Sequence, residues 1–216
     1  MPGTPAVKPR LRGVTHLSMF PAAVALAIPL AFVGESTAAH VSAVVFSVGV
    51  AAMFGASGLY HVPTWRPNVR AALCRLDHAA VYGLIAATYT PFGLLALHGA
   101  WRIVVLAIVW GGCFAAVVAK VAWVRSPKWL SATIGIALGW VGIVAAPELT
   151  REVGVGALLL TAAGGLLYTG GAIVYALRRP NPVPGVFGYH EVFHALVIGA
   201  VGLQYAAVAF FVLPGR

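Results

Sequence analysis

Two histidines stand one helical turn apart near the end of the chain, in a segment that is otherwise almost entirely apolar. His190 and His194 are four residues apart, so on an α-helix their imidazoles project from the same face. That spacing allows two imidazoles to bind one metal ion. No His, Cys, Asp or Glu follows His194. A third ligand must therefore come from an upstream segment, and His61 is the best candidate.

Two further polar residues are candidates for chemistry beside such a metal. Asp77 lies at the start of an apolar run, and burying a carboxylate in a membrane is costly, which makes it a candidate functional group. Ser57 precedes His61 by four residues, so its hydroxyl lies one turn deeper on the same helix face and could hydrogen-bond a bound water or a substrate. Structural alternatives exist for both, because Asp77 could pair with Arg75 and Ser57 could bond to its own helix backbone.

The segment from His190 to His194 also matches the H-E-x-x-H pattern of zinc proteases, in which the glutamate is the general base. No further ligand follows the motif, and so short a match also occurs with other chemistry. Glu191 lies about 100° around the helix from His190. It could therefore reach water at the metal or face the adjoining loop, and the sequence leaves both roles open.

The other polar candidates are interpreted as structural. His16, His40 and His98 lie near the ends of other apolar runs, where an interfacial or hydrogen-bonded histidine is more common than a ligand. Cys74 and Cys113 are far apart and lack a CxxC partner, so neither a disulfide framework nor a thiolate metal site is indicated.

The composition is that of a membrane protein. Of the 216 residues, 61% are hydrophobic and 9% charged, whereas soluble domains are about 45–50% apolar and about 25% charged. Each membrane-spanning helix needs about 20 mostly apolar residues, so the length suits seven spans with short loops. The continuous apolar runs favour helices over the alternating strands of a barrel.

We therefore predict an all-α integral membrane protein, a seven-transmembrane helix bundle. A cytoplasmic tail at 1–13 precedes one membrane domain at 14–213. The first run is longer than the apolar part of a cleaved leader, so we interpret it as a span. The predicted helices cover about 14–33, 39–61, 76–97, 102–122, 129–147, 154–177 and 189–213.

The basic residues predict the orientation. Eleven of the fourteen lie in the tail and in the second, fourth and sixth loops: Lys8, Arg10, Arg12, Arg66, Arg70, Arg75, Lys120, Arg125, Lys128, Arg178 and Arg179. The positive-inside rule then places the N-terminus in the cytoplasm and the C-terminus outside. In this orientation the candidate metal site lies near the cytoplasmic face.

The same distribution excludes nucleic acid as a partner, although the net charge is +9. Nucleic-acid binding needs a basic face on a folded domain, and here the basic residues lie between the apolar runs. The predicted orientation also brings His61, Asp77, His190 and His194 to one membrane depth.

Four segments together resemble the successive motifs of the bacterial hemolysin III proteins. They are S-G-L-Y-H at 57–61, R-L-D-H at 75–78, Y-T-P-F at 89–92 and G-Y-H-E-V-F-H at 188–194. Those proteins belong to the progestin and adipoQ receptor (PAQR) family, within a wider superfamily of membrane hydrolases that includes alkaline ceramidases. The resemblance runs from about residue 50 to the end, and the order of the motifs is more specific than any one of them.

The resemblance implies a seven-helix fold with one zinc ion held by three histidines, which correspond to His61, His190 and His194. Asp77 matches the family's aspartate near the zinc water, and Ser57 matches its serine one turn before the first histidine. The receptor members carry an acidic motif ahead of the first helix. This chain has no Asp or Glu before Val14, which puts receptor-type signalling in doubt but not the metal site.

The expected function is a zinc-dependent hydrolase of a lipid acyl bond, amide or ester, in the bacterial plasma membrane. A three-histidine site leaves a coordination position open, as catalytic zinc does. Asp77 would transfer the proton and Ser57 would orient the water or the developing oxyanion. The main alternative is a non-catalytic, zinc-containing membrane sensor or regulator of lipid state. A cytolytic pore is the least favoured, because so few charges offer no evident channel lining.

Overall fold

The computed structural model describes residues 8–124 and 126–216. Seven α-helices lie in this part of the chain: α1 Val14–Leu30, α2 Thr37–His61, α3 Pro67–Leu95, α4 Gly99–Ala122, α5 Lys128–Gly139, α6 Ala146–Leu177 and α7 Tyr189–Ala207. A 3₁₀ turn, Val141–Ala145, joins α5 to α6, and a π-helical turn, Val208–Val212, extends α7. Residues 1–7 of the predicted tail lie outside the described residues.

The helices confirm an all-helical membrane bundle. Among the described residues, four helical stretches are long and apolar enough to cross a membrane: Thr37–His61, Gly99–Ala122, Lys128–Leu177 and Tyr189–Val212. The apolar helix α1 is shorter. Large apolar side chains such as Phe32, Phe114 and Phe210 project outward, each more than 70% exposed. An exterior of this kind suits a lipid environment and not water.

Two helices begin earlier than the apolar runs predict. Helix α3 begins at Pro67 and not near residue 76, because proline suits the first helical position and polar residues can continue a helix beyond its apolar part. Helix α6 begins at Ala146, but its regular geometry is broken at Gly154, which has φ 83° and ψ 165°. The predicted start at residue 154 thus coincides with this break.

The helices pack in chain order and form a closed ring. Each consecutive pair from α1 to α7 is in contact, and α7 returns to pack against α1. Short connections make sequence neighbours run antiparallel. A ring of this kind can enclose a central cavity lined by residues from helices that are distant in the sequence.

The two ends of the bundle are tied by different segments. At one end, the backbone N–H groups of Arg10 and Leu11 donate to the carbonyls of Gly185 and Val186, at 3.0 and 3.2 Å. At the other end, the Glu35 N–H donates to the carbonyl of the last residue at 2.9 Å. The end that carries residues 8–13 is called the N-terminal end below.

Helix packing depends on small residues at close contacts. A Cβ atom added at Gly49 in α2 would lie 2.3 Å from the Cβ of Ala87 in α3, whereas one added at Gly111 in α4 would meet no atom within 4 Å. The α2–α3 contact is therefore closer than any side chain at residue 49 allows.

We expect Gly49→Ala to destabilise the protein by about 1–3 kcal/mol, the usual cost of overpacking. Gly111→Ala is the matched control and should be neutral or stabilising by up to about 1 kcal/mol, since alanine is the better helix former. Thermal unfolding of both variants in detergent would measure the difference. Equal midpoints for the two variants would contradict the close α2–α3 contact.

Candidate metal centre

Three buried histidines, His61, His190 and His194, meet at the N-terminal end of the bundle. One ring nitrogen from each lies within 4.8 Å of those of the other two. The Nε2 atoms of His61 and His190 are 3.1 Å apart, although the two residues are 129 positions apart in the sequence. The closed ring of helices therefore brings the last residue of α2 next to the first two turns of α7.

Two glycines allow the other chain segments to approach His61. Gly13 has a left-handed backbone with φ 79°, and a Cβ atom there would lie 2.3 Å from the Cβ of His61. A Cβ atom at Gly58 would lie 2.9 Å from the Cα of Leu17 in α1. Only glycine permits these contacts without a shift, so α1 packs directly on the last turn of α2.

The start of α7 is fixed by side chains that satisfy its first backbone N–H groups. The Glu191 carboxylate reaches back and accepts from the Gly188 N–H at 2.8 Å. The Asn181 Oδ1 atom accepts from the Tyr189 N–H at 2.9 Å. Capping of this kind defines where a helix begins. It thereby sets the direction in which the two histidines of α7 point.

The cluster fits a metal ion by its donors and by its spacing. Two nitrogens bound to one tetrahedral zinc lie about 3.3 Å apart, given Zn–N bonds of about 2.0–2.1 Å. The separation between His61 Nε2 and His190 Nε2 is close to this value. In the described part of the chain, His194 Nδ1 is buried without a hydrogen-bond partner. Three histidine nitrogens that converge in this way are a donor set that zinc accepts.

The structure also brings Asp77 and Ser57 to the cluster. The Oδ2 atom of Asp77 is 3.7 Å from the Nε2 atom of His61, and both residues are buried. Among the described residues, Asp77 forms no ion pair with Arg75, which was the structural alternative. Ser57 is buried one turn before His61 and hydrogen-bonds to a fourth histidine instead of remaining bonded only within its own helix.

That fourth histidine is His16, which sequence reasoning had set aside as interfacial. It is only 2% exposed, and its Nδ1 atom lies 2.9 Å from the Ser57 Oγ atom. Its ring stacks on that of His194, with centroids 3.7 Å apart and planes 7° apart. One feature of the sequence could have identified His16 as part of the site. His16 lies in the first turn of α1, at the same end of the bundle as His61.

His40 and His98, which were interpreted as structural together with His16, lie at the opposite end of the bundle. His98 Nδ1 is 3.4 Å from a carboxylate oxygen of Glu148. His40 Nδ1 is 2.9 Å from the backbone carbonyl of Ser36. Both side chains have local polar partners far from the cluster, so neither contributes to it.

Glu191 is fully buried, and both of its carboxylate oxygens are engaged. One accepts from the Gly188 N–H, and the other pairs with the Nε atom of Arg12. Glu191 therefore faces the N-terminal segment and the loop before α7. This position is the loop-facing alternative of the two that the sequence left open.

The histidine cluster opens onto a cavity of about 1130 Å³. Its wall near the cluster includes Ser57 and Asp77, and its wall farther along includes Phe92, Leu97 and Leu149. Ligand cavities in proteins typically measure about 300–1,000 Å³. This cavity is therefore large enough for a long, mostly apolar molecule that would reach the histidines with one part.

Comparison with known proteins identifies the family of the chain. The family model described as "Haemolysin-III related" matches residues 5–205. The chain is 33% identical to "Hemolysin-3" of Bacillus cereus over 94% of its own length and 89% of that protein. It is 31% identical to "Hemolysin-3 homolog" of Bacillus subtilis (strain 168), over 92% and 90% respectively. The chain belongs to the haemolysin-III-related family.

Proposed function

We propose that this protein is a zinc-dependent integral membrane hydrolase that cleaves an acyl bond, amide or ester, of a membrane lipid. The observation that carries the proposal is the buried three-histidine cluster with a carboxylate beside it at the mouth of an apolar cavity. A structural metal site would be closed by a fourth protein ligand. Three histidines leave room for a reacting molecule.

The proposal includes seven membrane spans, with the N-terminus in the cytoplasm and the site near the cytoplasmic face of a bacterial plasma membrane. The seven helices pack in sequence, and residues 8–13 and the last residue, Arg216, lie at opposite ends of the bundle. An odd number of spans agrees with that arrangement. The excess of basic residues toward the N-terminal end supports the orientation.

His61, His190 and His194 would hold the zinc ion, which supplies Lewis-acid polarisation of a carbonyl group and lowers the pKa of water. Asp77, whose Oδ2 atom lies 3.7 Å from His61 Nε2, would accept a proton from the attacking water and return it to the leaving oxygen or nitrogen. The acyl carbon gains the hydroxyl and its bond to the leaving group breaks.

Ser57 would orient the water or donate to the developing oxyanion. The imidazole of His16 holds the Ser57 hydroxyl in place, because the two side chains are hydrogen-bonded and the ring itself is fixed by stacking on His194. The cavity would exclude bulk water and hold the acyl chain, so that the scissile bond lies at its polar end.

Replacing two histidines should remove the metal. We expect wild-type protein purified in detergent to contain about one zinc per chain, and the His190→Ala, His194→Ala double variant to contain almost none, because one histidine alone binds zinc weakly. Elemental analysis by mass spectrometry measures this. The matched control is His40→Ala, His98→Ala, which should keep its zinc; undiminished zinc in the first double variant would refute the site.

Asp77→Ala should separate metal binding from turnover. We expect zinc content to stay unchanged and fatty-acid release from a panel of acyl lipids to fall by about 10²–10⁴-fold, the usual contribution of a general acid–base group. The experiment compares zinc content and release in parallel. If wild-type protein binds zinc and releases no fatty acid from a broad panel, the non-catalytic regulator becomes the better proposal.

Glu191→Gln should affect stability and not chemistry. The glutamine amide oxygen can still accept from the Gly188 N–H, but the ion pair with Arg12 is lost, which we expect to cost about 2 kcal/mol. Thermal unfolding and lipid hydrolysis by the same preparation provide the two readouts. Turnover should remain within about threefold; a loss of the 10²-fold size typical of a general base would instead support a role for Glu191 in proton transfer.

A further inference from the structure

The acidic residues of the chain are too few to balance the basic residues near the histidine cluster. The chain has five acidic residues, and all of them are described. Three lie at the end opposite the cluster: Glu35, Glu148 and Glu152. The remaining two are engaged, since Glu191 pairs with Arg12 and Asp77 lies against His61.

Lys120 is a buried cation in the cavity wall. It is only 7% exposed, and its ammonium donates to the hydroxyls of Ser126 at 2.7 Å and Ser131 at 3.1 Å. Hydroxyl groups do not neutralise a charge, and an ammonium has a third N–H to donate. No acidic side chain of the described residues lies within ion-pair distance of it. A buried charge is costly without an anionic partner.

The ammonium group of Lys128 is a second cation, and it lies closer to the histidines. Its ammonium lies 4.4 Å from the ring centre of Tyr175 and 4.8 Å from that of Tyr189, and it donates to the Tyr189 hydroxyl at 2.7 Å. The ring centre of Tyr175 is in turn 5.8 Å from that of His190. One aromatic ring therefore separates the Lys128 ammonium from the proposed metal site.

The preference of basic loop residues for one side of a membrane does not explain these two lysines. That rule concerns charges in the loops, which can remain in water. Exposed residues such as Arg66 and Arg75, which do not line the cavity, fit it. Lys120 is buried, and Lys128 is held between aromatic rings, so both line the cavity that leads to the histidines.

The rest of the cavity is mostly apolar and extends from these lysines toward the opposite end of the bundle. Its wall there includes Phe92, Leu97, Val105 and Leu149. A cavity with cations at one end and an apolar remainder is complementary to a molecule with an anionic head and an acyl chain. In a glycerophospholipid, only the few bonds of the glycerol separate the phosphate from the ester carbonyls. The phosphate of such a lipid could therefore contact the lysines while an ester carbonyl lies at the proposed acyl-cleaving site.

We propose that the cavity binds an acyl lipid with an anionic, phosphate-bearing headgroup, which the ammonium groups of Lys120 and Lys128 hold while the acyl chain occupies the apolar part. The identification of this lipid as a substrate rests on the proposed function. Headgroup binding can be measured without turnover.

The test offers purified protein an equimolar mixture of dioleoyl phosphatidylglycerol and dioleoyl phosphatidylcholine, and native mass spectrometry measures the ratio of the two bound lipids. The wild type should favour phosphatidylglycerol. Each Lys→Gln change at 120 or 128 should lower the ratio by about fivefold, the effect of one lysine near an anionic lipid. Lys→Arg changes at the same positions should restore most of the preference, which a merely misfolded variant would not show.

Arg151→Gln is the matched control, because Arg151 lies at the opposite end and does not line the cavity. It should leave the ratio unchanged. The inference is overturned if the wild type shows no preference for phosphatidylglycerol, or if the Lys120→Gln, Lys128→Gln variant keeps it. It is also overturned if free glycerol 3-phosphate displaces phosphatidylglycerol as well as dihexanoyl phosphatidylglycerol does, since the site would then recognise phosphate and not a lipid.

Failure of this inference and failure of the proposed function are distinguishable. The His190→Ala, His194→Ala variant should keep the preference for phosphatidylglycerol while it loses zinc and turnover. Preferential binding without fatty-acid release in the wild type would support the headgroup site and oppose the hydrolase. Release of fatty acid from phosphatidylcholine without any preference for phosphatidylglycerol would support the hydrolase and oppose the headgroup site.

Discussion

The buried carboxylate of Glu191 joins the N-terminal segment to the start of α7. It pairs with Arg12 of the N-terminal segment, accepts the backbone N–H of Gly188 and lies within α7 itself. Because a fully buried carboxylate must be paired and hydrogen-bonded, the N-terminal segment and the start of α7 cannot move independently. The interaction therefore stabilises the turn that carries His190 and His194 against the N-terminal segment. The stability of this end of the bundle thus rests partly on a residue outside the histidine cluster.

The rarity of polar residues in the spans explains how much of the site the sequence could predict. An ionisable group in an apolar helix has few structural explanations, so His190 and His194 could be assigned from their spacing, and His61 could be assigned by matching its depth. His16 was missed because a single histidine near a helix end is common. Its role follows from a tertiary contact with Ser57 and His194 that no local pattern records.

Helix boundaries illustrate the same limit. Apolar runs predicted the order of the helices, but they could not locate the start of α3 at Pro67, because Asn68, Arg70 and Arg75 interrupt the apolar run while the chain remains helical. The partner of Glu191 could not be predicted from the sequence either. The position of Glu191 on the helix allowed its carboxylate to face either the metal site or the adjoining loop. Only the path of the N-terminal segment, which brings Arg12 to it, decides between the two.

The separation of the metal-cluster residues along the chain has a consequence for biogenesis. His61 lies in the second helix and its nearest partner nitrogen in the seventh, 129 residues later. Chains are synthesised from the N-terminus, so the cluster cannot exist until the last helix has entered the bundle beside the first. The proposed zinc ion could consequently bind only late in assembly, and a chain truncated before α7 would lack the complete cluster however well its earlier helices were inserted.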